Sequence, residues 1–180
     1  ALVALGRLHG RLANRRVPSL LLGPAPFLLC IAIGSALLAL PRCRTVAWSG
    51  LDLVFTAASA VCVTGLTTRD VATDLTPLGQ GVLLALIQVG GLGVMTVTAF
   101  LAALQGELKG PGQALLLSQL LGESNLALAR RLLVRIVTVT LATELMGTLL
   151  LHGLAPDWSW PTAAFHAVSA FCNAGFSSLQ

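Results

Sequence analysis

The chain has 180 residues, of which 56% are hydrophobic and 10% charged, and its formal net charge is +4; the mean hydropathy is +0.86. Soluble domains carry about a quarter charged residues, so this composition excludes an ordinary soluble domain and points to a membrane protein in contact with the lipid bilayer. The positive balance is mostly arginine and speaks to topology and anionic headgroups; no interleaving of aromatic and basic residues supports nucleic-acid binding.

Ala1–Arg16 carries Arg7, Arg11, Arg15 and Arg16 with His9 and no acid. The positive-inside rule makes this a cytoplasmic tail, with an interfacial or transit-like helix as the alternative. Val17–Pro41 is uncharged and long enough to cross about 30 Å of hydrocarbon as a helix. Pro24 and Pro26 fall in its first turns, where missing amide donors matter least. Ser49 three residues before Asp52 predicts a capping box, hence a helix starting at Ser49. The apolar run that follows, Leu53–Leu66, is too short to span and is closed by Thr67, Thr68, Arg69 and Asp70, which suggests a re-entrant segment.

Thr76–Gln105 is the longest uncharged run and is expected to span. It contains Gly90, Gly91 and Gly93, which no strand precedes and whose spacing is not that of a nucleotide loop. Close helix approach or a local kink is the expected use of these glycines, with a pore or gating role as a further candidate. Gly106–Arg131 is a connector, broken at Gly110-Pro111-Gly112 and at Gly122, with a short amphipathic helix expected over Gln113–Leu121. Leu132–Leu151 is the next spanning helix, entered by Arg130, Arg131 and Arg135. Ser159–Phe171 is a second short helix, with Pro161 expected at its first position, and Cys172–Ser178 is its turn.

Trp158–Ser178 laid over Trp48–Thr68 without a gap matches Trp158 to Trp48, Phe165 to Phe55, Ser169 to Ser59, Cys172 to Cys62 and Gly175 to Gly65. Hydroxyl residues follow the glycine in both copies. The two stretches lie too far apart for a solenoid repeat, so this is a duplicated module. The expected fold is an all-α membrane protein built from repeated units of transmembrane helix, re-entrant pore helix, filter loop and transmembrane helix. Its divisions are a cytoplasmic tail at 1–16, a first repeat at 17–105, a cytoplasmic connector at 106–131, and a second repeat at 132–180 that stops after its filter loop. Read this way the chain is the N-terminal fragment of a longer protein. The arginine bias places the N-terminus inside and both glycine turns toward the outside.

Non-helical backbone at membrane depth survives only where protein buries it or water meets it. A potassium ion sheds its water only if backbone carbonyls replace it, and turning successive carbonyls to one axis requires positive φ, hence glycine. Gly65 and Gly175 stand where that is needed. The candidate carbonyl donors are Val63, Thr64, Gly65 and Leu66 in the first copy and Asn173, Ala174, Gly175 and Phe176 in the second, with Thr67 and Ser177 at the outer mouth. The bland alternative is that each glycine turns a hairpin between two dipping segments. Glu144 lies inside a spanning helix, where an acid costs about 2.5–3.5 kcal/mol; it is either an ion-path or gating group or a hydrogen-bonded packing residue. His166, which replaces Thr56 of the first copy, is expected to pack, and Asp52 to cap. The four cysteines, Cys30, Cys43, Cys62 and Cys172, have no disulfide or metal spacing.

Three segments carry a family resemblance: Asp52–Asp70 (DLVFTAASAVCVTGLTTRD), Thr76–Thr96 (TPLGQGVLLALIQVGGLGVMT) and Ala164–Phe176 (AFHAVSAFCNAGF). Together they resemble the Trk/Ktr/HKT superfamily of potassium transporters, and the short N-terminal tail is more similar to the Ktr branch. The resemblance implies four helix–pore-helix–helix repeats around one pore, a homodimer, and a cytosolic ring of nucleotide-binding regulatory subunits. It carries filter glycines over to Gly65 and Gly175; in sodium-favouring plant relatives the first is serine, so Gly65 points to potassium. Cys62 departs from the threonine of many relatives.

The expectation is therefore potassium uptake across a bacterial plasma membrane by a multi-pass, pore-forming subunit. It has K+ as the transported ion, no covalent cofactor and Na+ as a candidate coupling ion. The alternatives are a sodium or other monovalent cation transporter of the same architecture, a non-conducting scaffold, or an intramembrane enzyme using Glu144, His166 or Cys172. The last lacks a paired acid/base spacing or a metal motif.

Overall fold

A computed structural model describes residues 24–93 and 126–179, without the side chains of 126–130 and 132. The basic tail, the start of the first apolar run, most of the connector with its amphipathic segment, and the continuation of the second apolar run beyond Gly93 lie outside the described residues. The described residues fall into two units, the second made of residues 28–92 with 140–179. The second unit holds both glycine turns and is the one that matters for function.

Among the described residues the chain is helical, with no β-strand. Helix α1 (Ala25–Leu38) stops before Pro41, which opens a one-turn 3-10 helix, Pro41–Cys43. Arg44 then stitches this corner together: Nη2 donates to the Ala39 carbonyl at 2.8 Å and Nη1 to the Trp48 carbonyl at 3.1 Å, supplying the donors that carbonyls beyond a helix end require. The capping box at Ser49 is present and opens α2 (Gly50–Val61). A short helix, α3 (Val71–Asp74), follows the first glycine turn with Asp70 as its N-cap. The C-terminal end of α3 is clipped to the corner after α1, by Thr45 N–H to the Asp74 carbonyl (2.8 Å) and Thr76 N–H to the Cys43 carbonyl (3.1 Å). The sequence carries no signal for this clip.

Helix α4 (Pro77–Gly91) is the hub, since both α2 and the last helix, α6 (Trp160–Phe171), pack on it. Leu83 and Ile87 of α4 are wholly buried, and Leu86 seats on Gly34 of α1, where an added Cβ would stand 2.7 Å from its Cδ1. Of the expected spanning run over Thr76–Gln105 the described part reaches Gly93: α4 is 15 residues long and ends at Gly91, with Gly93 at φ 79°, and the rest of the run lies outside the described residues. Successive glycines with a left-handed residue end the helix there.

Helix α5 (Leu126–Leu154) has 29 residues, longer than Leu132–Leu151 at both ends. Over Leu133–Leu154 it is long and apolar enough to cross a membrane, and only 17% of its most apolar stretch is buried. Leu141, Leu145, Met146, Leu149 and Leu150 are all more than half exposed, an apolar face that water would not tolerate on a soluble monomer. Helix α6 begins at Trp160 with Ser159 as N-cap, so Pro161 sits one place further in than expected.

Candidate functional site

Both short helices end in the same way. After α2, Cys62 is right-handed (φ −87°, ψ 0°), Val63 takes φ 56° and Gly65 takes φ 74°. After α6, Cys172 is right-handed (φ −75°, ψ −4°), Asn173 takes φ 54° and Gly175 takes φ 72°. The N–H of Val63 bonds the Ala60 carbonyl at 3.2 Å and that of Thr64 the Ser59 carbonyl at 2.9 Å; Asn173 N–H bonds Ala170 at 3.0 Å and Ala174 N–H bonds Ser169 at 2.7 Å. This is the Schellman pattern, in which the first residue past the helix is left-handed and is ordinarily glycine. Here it is valine in one copy and asparagine in the other. Asparagine tolerates that conformation, whereas a β-branched residue there is an outlier that its surroundings must hold in place.

Alternating hands along consecutive residues turn N–H groups to one side of the chain and carbonyls to the other. The first two N–H groups of each turn, those of Val63 and Thr64 and of Asn173 and Ala174, are tied back to their helices. Among the described residues, the carbonyls of Val63, Thr64, Gly65 and Leu66 and of Asn173, Ala174 and Gly175 receive no hydrogen bond. The Phe176 carbonyl differs: it accepts from the buried Ser169 hydroxyl at 2.8 Å. In the first copy the matching Ser59 instead receives the Thr64 hydroxyl, at 3.1 Å on Oγ and 3.2 Å on its carbonyl.

The fold brings the two turns side by side. A Cβ built on Gly65 would run into the Ala174 carbonyl oxygen and stand 3.2 Å from Gly175 Cα, while one built on Gly175 would lie 3.8 Å from Gly65 Cα. Beyond them is a cavity of about 300 Å³ lined by Gly65, Thr67, Asp70, Val71, Gly175, Phe176, Ser177 and Leu179. Thr67 and Ser177 thus share one opening. Asp70, which sequence reasoning treated only as the close of an apolar run, adds a carboxylate to it; its Oδ1 accepts from Ala72 N–H at 2.8 Å.

The glycines of α4 lie beneath the ends of the two short helices. A Cβ on Gly90 would strike the Val61 carbonyl and stand 2.9 Å from that of Ala60, and one on Gly91 would strike the Cys172 sulfur. Two neighbouring glycines therefore seat the C-termini of α2 and α6 respectively. Gly93 follows as the left-handed residue that ends this segment. Glu144 of α5 is buried and its Oε1 accepts from Gln88 Nε2 at 2.8 Å. Gln88, one place before the glycine pair's neighbour Val89, had no assigned partner in the sequence; a lone amide inside an apolar run was the available signal.

The family model described as TrkH, cation transport protein, matches residues 31–180. The chain belongs to the TrkH family. Over 156 residues it is 38% identical to the Ktr system potassium uptake protein B of Bacillus subtilis, covering 84% of this chain and 35% of that protein. It is equally similar to the protein of the same name in Vibrio alginolyticus, covering 84% of this chain and 34% of the relative. The potassium/sodium uptake protein NtpJ of Enterococcus hirae is 33% identical over 173 residues, covering 92% of this chain and 38% of the relative. This TrkH-family chain thus spans about a third of the length of the curated relatives it matches. The family is one of cation transporters rather than enzymes, which speaks against the rival intramembrane-enzyme reading of Glu144, His166 and Cys172.

Proposed function

We propose that this chain is part of the pore-forming subunit of a potassium uptake system. Potassium sheds its water against the carbonyls of Val63, Thr64, Gly65 and Leu66 and of Asn173, Ala174 and Gly175, with the Phe176 carbonyl engaged chiefly by Ser169. The observation that carries this reading is the adjacency of two left-handed glycine turns whose carbonyls receive no hydrogen bond. Backbone carbonyls demand a partner, and a desolvated cation on their shared axis meets that demand. The right-handed C-terminal ends of α2 and α6 add negative partial charge on the inner side.

In the orientation set by the arginine bias, the cavity between Thr67, Asp70 and Ser177 is the outer mouth, and the N-terminus is cytoplasmic in a multi-pass protein of the bacterial plasma membrane. An inside-negative potential draws K+ inward with about 2.3 kcal/mol per charge per 100 mV. The chain comprises a first repeat at 17–105 and most of a second at 132–180. The Gln88–Glu144 pair and the glycine seats below the turns are the place for a gating movement. A homodimer carrying a cytosolic nucleotide-binding ring is the assembly that the resemblance to the Ktr branch implies for it. Sodium as coupling ion or as cargo is the second reading; the name of the Enterococcus relative, a potassium/sodium uptake protein, favours the cargo role.

The test is rubidium uptake by a potassium-uptake-deficient bacterium expressing the full-length protein. Gly65→Asp is expected to abolish it, because a side chain and a charge would occupy the ion axis. Wild-type rubidium uptake in that variant overturns the filter assignment.

A further inference from the structure

We infer that His166 is a proton-responsive positioning residue of the second turn: it sets the polarity of the Ser177 hydroxyl at the mouth, and its protonation opposes potassium uptake. The inference rests on the filter reading above. The Thr162 carbonyl can only accept, so the Nδ1 that lies 2.8 Å from it carries the ring proton and donates. The Nε2 of the neutral ring is then an acceptor, and the Ser177 hydroxyl, 3.1 Å away, donates to it. Ser177 Oγ also accepts from the Leu179 N–H at 3.1 Å. A hydroxyl has one donor and two acceptor sites. With the proton committed to His166 and one lone pair to Leu179, a lone pair remains for the cavity that Ser177 lines, an orientation that favours a cation.

Protonation of the ring inverts this. Nε2 becomes a donor, both lone pairs of Ser177 are taken, and the hydroxyl hydrogen is what remains for the mouth. The imidazolium adds a positive charge behind it. Both changes act against a cation in the same place.

Among the described residues no carboxylate is hydrogen-bonded to the ring to neutralise that charge. The indole of Trp158 lies 4.7 Å from it between centroids and the ring of Phe165 5.9 Å, and neither titrates. Helix α4, packed on α6, has no titratable side chain between Pro77 and Gly91. From α5 come Glu144, which is bonded to Gln88, and His152, whose Nδ1–H donates to the Trp158 carbonyl at 2.9 Å. Asp157 precedes α6 in the connecting turn, and Asp70 lines the mouth cavity together with Ser177. The first copy has no counterpart: Thr56 stands at the matching position, fully buried, its hydroxyl without a partner among the described residues. Proton sensing by this route therefore belongs to one turn only.

The experiment measures rubidium uptake by the full-length protein in the deficient host, with outer pH stepped from about 8 to about 5.5, the range in which imidazoles titrate. Each variant is scaled to its own uptake at the alkaline end, and membrane potential is matched between strains. Wild type is expected to fall roughly fivefold further than His166→Gln, the effect of one nearby unit charge in a partly wet mouth. The glutamine amide oxygen accepts from Ser177 at every pH, so its profile is flat. Ser177→Ala keeps the charge and loses the hydroxyl reversal, so its fall is shallower than that of wild type. A His166→Gln profile that coincides with wild type overturns the inference. Should that variant not reach the membrane, a Ser177→Ala profile identical to wild type overturns it equally. Gly65→Asp in the same assay separates the two levels: uptake that survives it overturns the filter reading, while uptake lost there alongside a pH-sensitive His166→Gln overturns only the role of His166.

Discussion

At the scale of single residues, Gly65 and Gly175 have nearly the same φ, 74° and 72°, yet different surroundings. A left-handed backbone costs an L-residue roughly 1–2 kcal/mol, so alanine at either position is penalised alike on that count. Only at Gly65 would the new methyl group also collide with backbone, at the Ala174 carbonyl. Gly65→Ala is therefore expected to lose potassium-over-sodium discrimination, and Gly175→Ala to keep most of it, as read by sodium competition against rubidium uptake. Equal losses would contradict the described packing of the turns.

Asp52 shows a different residue-scale effect in the first turn of α2, outside the spanning helices. Its carboxylate accepts from Thr68 Oγ1 at 2.7 Å, from Ser49 Oγ at 2.8 Å and N–H at 3.0 Å, and from Arg69 Nε at 3.4 Å. Hydrogen bonds from Thr68, then from Ser49, hold its pKa at about 2, below the ordinary 3.8. A carboxylate with a depressed native pKa stabilises the fold above its unfolded value, and that contribution disappears as pH falls through the native one. Asp52→Asn is thus expected to lower the melting temperature at neutral pH, with the gap from wild type closing between about pH 4 and about pH 2.

At the scale of elements, α4 contains glycines with opposite functions. Gly90 lies under the end of α2, with backbone oxygens of Val61 and Ala60 in the space a side chain would take, whereas a Cβ on Gly81 meets nothing within 4 Å. Overpacking typically costs about 1–3 kcal/mol, while replacing glycine by alanine inside an open helix gains up to ~1 kcal/mol. Gly90→Val is expected to lower the melting temperature of the detergent-solubilised protein and to displace α2 with its turn, with a loss of uptake. Gly81→Ala should leave uptake intact and raise the melting temperature slightly. The same helix contributes Gln88 to the Glu144 carboxylate, so one element supports both turns and satisfies the buried acid of α5.

At the scale of the whole molecule, the exposed apolar face of α5 and the TrkH-family match agree on a bilayer environment. Leu145, near the middle of that span, is 61% exposed on that face. An arginine near the centre of a spanning helix costs about 2.5–3.5 kcal/mol on insertion scales, so Leu145→Arg is expected to reduce the amount of protein in the membrane fraction severalfold. An unchanged amount would mean that this face meets protein or water instead of lipid. Two helix-plus-turn units converge on one hub, and their likeness in sequence becomes a likeness in backbone angles at matched positions, Val63 with Asn173 and Gly65 with Gly175.

The sequence by itself determined what depends on neighbouring residues. Apolar runs marked the helices, Ser49 with Asp52 marked the start of α2, and the two glycines marked the turns, because caps, helix periodicity and φ preference all act within a few residues. It also exposed the duplication that pairs the turns. It missed the left-handed Val63, since no local preference would put a β-branched residue there; the hydrogen bonds back into α2 hold it. Tertiary structure alone decided that Gly90 and Gly91 seat the ends of α2 and α6, that Gln88 faces Glu144, that Asp70 lines the cavity beside the turns and that His166 reaches Ser177. Each of these depends on which distant backbone or side chain comes within a few ångströms, and chain order holds no record of that distance.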